Sequence, residues 1–175
     1  SNSFLVNFSS INILNVPTSR MLQPNSKTTG ARSALEIIKN NRIENGLDFK
    51  EEMSVGILTQ NHGGFHAHNL TFLANEMGMN ADILTVGILS PDTPAEPTIF
   101  IESDYLTYTP ENAEYWPVLR RYKYIIDNFP KSYEKCLHPV GSVDARFGGI
   151  SVQRVDKQCI SPQAVLDIIS VGKKY

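Results

Sequence analysis

Apolar residues recur at roughly helical spacing after Ala31. Leu35, Ile37, Ile38 and Ile43 carry this pattern. The pair Asn45-Gly46 follows, and glycine commonly occupies the position just beyond a helix C-terminus. The pattern therefore predicts a helix from Ala31 that stops near Gly46.

Two proline-led segments near the C-terminal half carry the same periodicity. Residues 110–128 place Tyr115, Leu119, Tyr122 and Ile126 at helical intervals, and residues 162–171 begin with a proline. Proline is favoured in the first turn of a helix, where its missing N–H costs nothing. Both segments are predicted helices, whereas residues 65–77 fit either a helix or a longer strand.

Short apolar runs rich in β-branched residues predict the strands. They are residues 3–16, 53–59, 82–89, 98–102 and 149–156, with a loop over 17–30 and a glycine turn at 61–64. The alternation of helices and strands fits an α/β or an α+β fold. We expect an α+β fold with a central mixed sheet flanked by helices.

Composition narrows the classes of partner. The chain has 175 residues, 41% of them hydrophobic, and a net charge of −2 from 16 basic and 18 acidic residues. This nearly balanced charge does not favour nucleic acid as a binding partner. No apolar run reaches the roughly 20 residues that span a bilayer, so no membrane span is expected. Cys136 and Cys159 cannot form a disulfide framework; a reducing compartment is the simpler interpretation, with a single bridge left open.

Three of the four histidines cluster at positions 62, 66 and 68, and a metal site with His138 is one interpretation. No acidic or thiol ligand stands at a customary zinc spacing. We therefore predict no bound metal. Without further context, His66 is equally consistent with a structural histidine beside a glycine turn.

Several motifs occur in an order that resembles the YopJ-type effector acetyltransferases, relatives of the ubiquitin-like thiol proteases of clan CE. These motifs are Leu35–Gly46, His62–His66, Glu102 at the end of an apolar strand, Asp156–Gln158, and Ala164–Lys174. The resemblance implies a single catalytic domain over residues 1–175, with an N-terminal strand and loop (1–30) and a clan CE thiol-protease-like core (31–175).

The resemblance also implies roles for four residues. His66 would deprotonate a thiol, Glu102 would orient the imidazole, and Gln158 would donate a hydrogen bond to the oxyanion. The nucleophile would stand at position 164, where a helix N-terminus lowers the pKa of a thiol. The residue there is Ala164, so we expect an inactive form, either a Cys-to-Ala replacement or a natural pseudoenzyme. Cys159 is out of register for the nucleophile.

Three functions follow as expectations. The first is acetyl transfer from acetyl-coenzyme A to Ser, Thr or Lys of a host signalling protein, by an effector that a bacterium secretes into the host cytoplasm. The second is an isopeptidase acting on ubiquitin or a ubiquitin-like modifier, although Ala67 replaces the tryptophan that such proteases often carry. The third is a pseudoenzyme binding module.

The His66–Glu102 spacing is longer than in typical members and requires an insertion around residues 70–96. The sequence also ends sooner after position 164 than acetyltransferase members, which continue into a region that binds coenzyme A and inositol hexakisphosphate.

Overall fold

The part of the chain that the structure describes has an α+β fold built on a five-stranded mixed sheet. A computed structural model describes residues 30–58, 65–85, 97–109, 117–145 and 148–174. The predicted strand at 3–16 and the turn at 61–64 lie outside this part of the chain.

The strands are β1 (Met53–Leu58), β2 (Ala81–Thr85), β3 (Tyr105–Tyr108), β4 (Leu137–Ala145) and β5 (Gly148–Val155). The helices are α1 (Ala31–Glu44), α2 (Ala67–Glu76), α3 (Thr98–Glu102), α4 (Pro117–Asp127), α5 (Lys131–Glu134) and α6 (Pro162–Lys173), and a short 3₁₀ helix spans Lys157–Cys159. The order across the sheet is β2-β1-β3-β5-β4.

The sheet has a parallel half and an antiparallel half. β1 pairs in parallel with β2 and with β3, so Val55 lies opposite Ile83 on one side and Tyr105 on the other. β5 runs antiparallel to β3 and forms an antiparallel pair with β4. The β4 ladder shifts register between Pro139 and Gly141, as expected for an edge strand whose proline has no N–H to donate.

Helices cover both faces of the sheet, which alternates its side chains between two cores. On the first face, Val55 and Ile57 of β1 pack with Leu35 of α1 and with Leu70 and Leu73 of α2. The core of the second face contains apolar residues of β1, α3, β3, α4, β5 and α6: Leu58, Phe100, Leu106, Ile125, Val155 and Ile168. Burying these side chains from both faces is the main source of stability for the sheet.

Most of the helix and strand predictions that fall on described residues are confirmed. α1 begins at Ala31 and ends at Glu44, and Gly46 has a φ of 71°, the left-handed conformation that glycine adopts without strain. α6 begins at Pro162, capped by the Ser161 hydroxyl, which accepts a hydrogen bond from the Ala164 N–H. The ambiguous segment 65–77 is the helix α2, and β1 and β5 lie where the apolar runs predict them. For residues 82–89 and 110–128, only parts are described, as β2 and α4.

One strand prediction is wrong. Residues 98–102 form the helix α3, because their apolar side chains pack into an aromatic cluster and do not extend a sheet. Phe100 is fully buried there, 6.0 Å from the ring of Tyr122 and 5.5 Å from that of Phe129. The carbonyl of Phe100 also accepts a hydrogen bond from the buried Tyr133 hydroxyl. A five-residue segment with three apolar side chains is too short for periodicity to distinguish these outcomes.

The two cysteines form a disulfide, so the expectation of free thiols in a reducing compartment is not supported. Cys136 and Cys159 are 23 positions apart in sequence and 5.4 Å apart at Cα. Antiparallel pairing of β4 with β5 brings them together, because Leu137 lies opposite Val155. On the chain-entropy argument, closing a loop of this length stabilises the fold by about 3 kcal/mol.

Among the described residues, no helix is both long and apolar enough to cross a membrane.

Candidate functional site

His66 stands at the edge of the sheet where the parallel strands end. It is the N-cap of α2, and its Nδ1 accepts a hydrogen bond from the Asn69 N–H at 3.3 Å. α2 is about 15 Å long and leads to Asn80, whose carbonyl accepts from the N–H of Met53 at the start of β1. The helix therefore returns the chain from the C-terminal to the N-terminal edge of β1, with His66 at the C-terminal edge.

The environment of His66 favours the neutral imidazole. Burial lowers the pKa of His66 below its ordinary value, and the nearby His68 lowers it further. The two rings lie 6.3 Å apart, edge to face. Because Nδ1 accepts the cap hydrogen bond, the neutral ring carries its proton on Nε2, which can donate to a ligand.

Glu102 lies at the opposite edge of the sheet. Its carbonyl oxygen accepts a hydrogen bond from the Ser54 hydroxyl at 2.7 Å, at the beginning of β1. From Ser54 to Leu58 the strand rises about 13 Å, and His66 lies beyond that far end. Glu102 also ends α3 on the second face, whereas His66 begins α2 on the first. Its side chain is exposed. The structure therefore does not bring the Glu102 carboxylate to the His66 imidazole.

Gln158 and Ala164 lie on the Glu102 side of the molecule. Gln158 is exposed in the 3₁₀ helix that follows β5, and the carboxylate of Asp156 accepts a hydrogen bond from its N–H at 3.1 Å. Ala164 lies in the first turn of α6, as the sequence predicts, but it is 0% exposed and belongs to the core of the second face. Its methyl group is a packing element in this conformation.

The four predicted site residues therefore do not form one site. Glu102 and Gln158 share the N-terminal edge of β1, Ala164 is buried in the second core, and His66 lies at the other edge and on the other face. The order of strands explains this separation, because the chain passes from β1 through α2 to β2, and only then crosses to α3 and β3.

The N-terminal edge holds a polar network that the sequence analysis missed. The carboxylate of Asp104 accepts a hydrogen bond from the Ser54 N–H at 2.7 Å and pairs with the Lys157 ammonium at 2.7 Å. Burial alone would raise the pKa of Asp104, but the hydrogen bonds from Lys157 and Ser54 outweigh it and lower that pKa. No spacing in the sequence indicates this network, since its members come from β1, the start of β3 and the 3₁₀ helix.

Metal binding has no supporting geometry in the described segments. Within them, no group of three His, Cys, Asp or Glu side chains is placed to hold a metal ion. His138, proposed as a ligand partner of the other histidines, lies near the start of β4, opposite Arg154 at the N-terminal edge.

Comparison with protein-family models, with curated proteins and with solved structures finds no match to this chain.

Proposed function

We propose that this protein binds a small anionic ligand, of the kind that carries phosphate groups, at the C-terminal edge of β1. The observation that carries the proposal is the strand order β2-β1-β3 with helices on opposite faces. β1 connects to β2 through α2 on the first face, and the chain then crosses to β3 through a segment that includes α3 on the second. The β1–β2 and β2–β3 connections thus run in opposite directions across the sheet and on opposite faces. In open α/β sheets, a crevice lies at such a point beyond the carboxyl ends of the adjacent strands, here β1 and β3, and ligands commonly bind there.

The groups at this edge suit an anion. His66 can donate from Nε2, and the first-turn N–H groups of Ala67 and His68 precede the hydrogen-bonded part of α2. The dipole of this ten-residue helix adds positive potential at the same end.

Coenzyme A, expected from the resemblance as an acetyl carrier, belongs to the same chemical class because it bears phosphate groups. It is therefore one of the probes, beside adenosine diphosphate, uridine diphosphate and inorganic pyrophosphate. We expect at least one probe to shift the amide resonances of Ala67 and His68 in a ¹H–¹⁵N correlation spectrum. Shifts centred on Lys157 and Arg154 at the other edge, or no shift with any probe at millimolar concentration, would contradict the proposal.

A substitution at His66 gives a matched pair of variants. His66→Ser keeps a side-chain oxygen as the acceptor of the helix cap but withdraws the donor at the Nε2 position, whereas His138→Ser changes an exposed histidine at the opposite edge. Losing one hydrogen bond should weaken probe binding by about 3- to 10-fold in the first variant. The second variant should bind as the parent does. Equal affinities in both variants would remove His66 from the site.

A second candidate function is thiol acyl transfer by a clan CE-like core. The same core could instead cleave isopeptide bonds or act as a pseudoenzyme that binds a partner. Its support is the order of motifs in the sequence and the position of Ala164 in the first turn of α6. It requires a conformation in which His66 and Glu102 approach each other near position 164. Labelling of an Ala164→Cys variant by acetyl-coenzyme A, or its capture by a ubiquitin-tail probe, would favour this candidate over the first.

A further inference from the structure

The disulfide links the turn that precedes α6 to a residue just beyond α5, a helix that α6 packs against. Cys136 follows α5 and is 0% exposed, whereas Cys159 is partly exposed and ends the 3₁₀ helix, two residues before the Ser161 cap of α6. α6 packs on α4 and α5. The disulfide thus joins the segment just before the N-terminus of α6 to the C-terminal end of α5, against which α6 packs.

We propose that Cys136–Cys159 is a redox-sensitive latch that controls how firmly α6 docks on the second face of the sheet. The proposal is independent of the ligand proposed for the opposite edge, because it concerns residues that follow β5 and not the end of β1.

Backbone contacts keep the two cysteines adjacent without the covalent bond. The carbonyl of Cys136 accepts a hydrogen bond from the Asp156 N–H at 2.9 Å, and Leu137 pairs with Val155 in the β4–β5 ladder. Lys157 is held separately by its ion pair with Asp104. After reduction the two thiols should therefore stay close enough to form the bond again without unfolding.

The segment beyond Lys157 depends more on the bond. Ile160 and Ser161 form the short connection to α6, and the backbone hydrogen bonds in this turn are local: the Cys159 N–H donates to the Asp156 carbonyl and the Ile160 N–H to the Lys157 carbonyl. α6 itself is held by the buried Ala164 and Ile168 and by a hydrogen bond from Ser132 to Asp167 at 2.8 Å, and Ile160 and Val171 pack partly buried against the same core. Segments whose backbone hydrogen bonds are local and whose apolar contacts are mostly partial open at low free-energy cost.

The exchange chemistry fits the exposure of the two residues. A thiolate of a dithiol reductant attacks the sulfur of the partly exposed Cys159, and the Cys136 sulfur leaves with the electron pair. The second thiolate of the reductant then displaces the Cys159 sulfur, so that the reductant becomes a disulfide and the protein gains two thiols and two protons. The Cys136 sulfur lies 3.7 Å from the Ser132 carbonyl, to which the new thiol can donate.

Hydrogen exchange read by mass spectrometry tests the latch. We compare the oxidised with the dithiothreitol-reduced wild-type chain. Loss of the disulfide lowers the global stability and therefore speeds exchange in β1 and β3 as well. Exchange over residues 160–174 should accelerate on reduction at least tenfold more than exchange in β1 and β3. After removal of dithiothreitol, oxidised glutathione should accept the two electrons, re-form the disulfide and restore the slow rate without a denaturation step. A uniform increase over the whole chain, no change in 160–174, or failure to reoxidise while folded would each overturn the proposal.

Two variants provide controls for the reagent. Cys136→Ser/Cys159→Ser should show the fast rate in α6 with and without dithiothreitol, and Cys159→Ser alone, which leaves the buried thiol in place, should match it. A slow rate in α6 for the folded Cys159→Ser variant would contradict the latch. If the double variant fails to fold, the reduced wild-type chain still decides the question.

Discussion

A Cβ atom on Gly56 of β1 would collide with the Oγ of Ser103, the residue that follows α3. The Ser103 side chain therefore fits only because position 56 is a glycine. The same Cβ would lie 2.8 Å from Leu106 Cδ2, inside contact distance. Gly56→Ala should therefore lower the free energy of unfolding by about 1–3 kcal/mol through overpacking. Urea denaturation of this variant and of Gly149→Ala, a strand position in β5 whose Cβ meets nothing within 4 Å, separates crowding from the general effect of losing a glycine. Equal losses in the two variants would contradict the crowding argument.

The hydroxyl of Ser103 is buried and has no hydrogen-bond partner among the described residues. Leaving a buried hydroxyl unpaired costs free energy, so Ser103→Ala should leave stability unchanged or raise it by about 1 kcal/mol. In the double variant Gly56→Ala/Ser103→Ala, the loss from Gly56→Ala should shrink because the colliding oxygen is gone. Denaturant midpoints of the four proteins in this cycle measure the coupling, and strictly additive effects would show that the two positions do not interact.

The ion pair of Asp104 with Lys157 should make the free energy of unfolding decrease at acidic pH. The pKa of Asp104 is lowered in the folded protein, so this group stabilises the fold above its unfolded pKa and loses that contribution as pH falls through the folded value. The wild-type chain should be more stable than Asp104→Asn by about 1 kcal/mol or less at neutral pH, since the pair is partly exposed. Thermal melts from pH 7 to pH 2 should show the difference vanish below about pH 4. A difference that is constant over this range would refute the linkage.

His66 should titrate below an ordinary histidine, because burial and the charge of His68 both oppose protonation. Stability linked to His66 is then present above its unfolded pKa and is lost as pH falls through the lower folded value. NMR titration of the ring protons should give a pKa below about 6.5, and His68→Gln should raise it toward that value. A pKa of His66 that is unchanged by His68→Gln would mean that burial alone lowers it.

A cysteine placed at position 164 should be unreactive in this conformation. Ala164 is 0% exposed, and a thiol in an apolar core has a raised pKa. In Ala164→Cys, iodoacetamide should label the new thiol far more slowly than the thiol of Gln163→Cys, one position away at an exposed site. Mass spectrometry after proteolysis measures both rates. Rapid labelling at 164 would favour the thiol-enzyme hypothesis.

The local elements follow largely from sequence. α1 and α6 have apolar residues at helical spacing together with their own end signals, Gly46 and the Ser161-Pro162 pair, so neighbouring residues are enough to define them. β1 is a mostly apolar run that suits a covered sheet, whereas β5 alternates the buried Ile150 and Val152 with partly buried neighbours. Residues 98–102 carry no such redundancy: their five positions fit a strand or a helix, and only packing of Phe100 against Tyr133 and its neighbours decides for the helix.

The relationship among distant residues was decided by the tertiary structure alone. His66 and Glu102 are both polar residues beside apolar segments, and their order along the chain is compatible with a shared site. The path of the chain through β2 places them instead at opposite edges and on opposite faces of the sheet. The antiparallel pairing of β4 with β5 likewise unites two cysteines whose spacing does not predict a bond. Sequence periodicity records which side chains each short segment must bury, whereas the edge at which a residue emerges depends on strand order, which long-range packing sets.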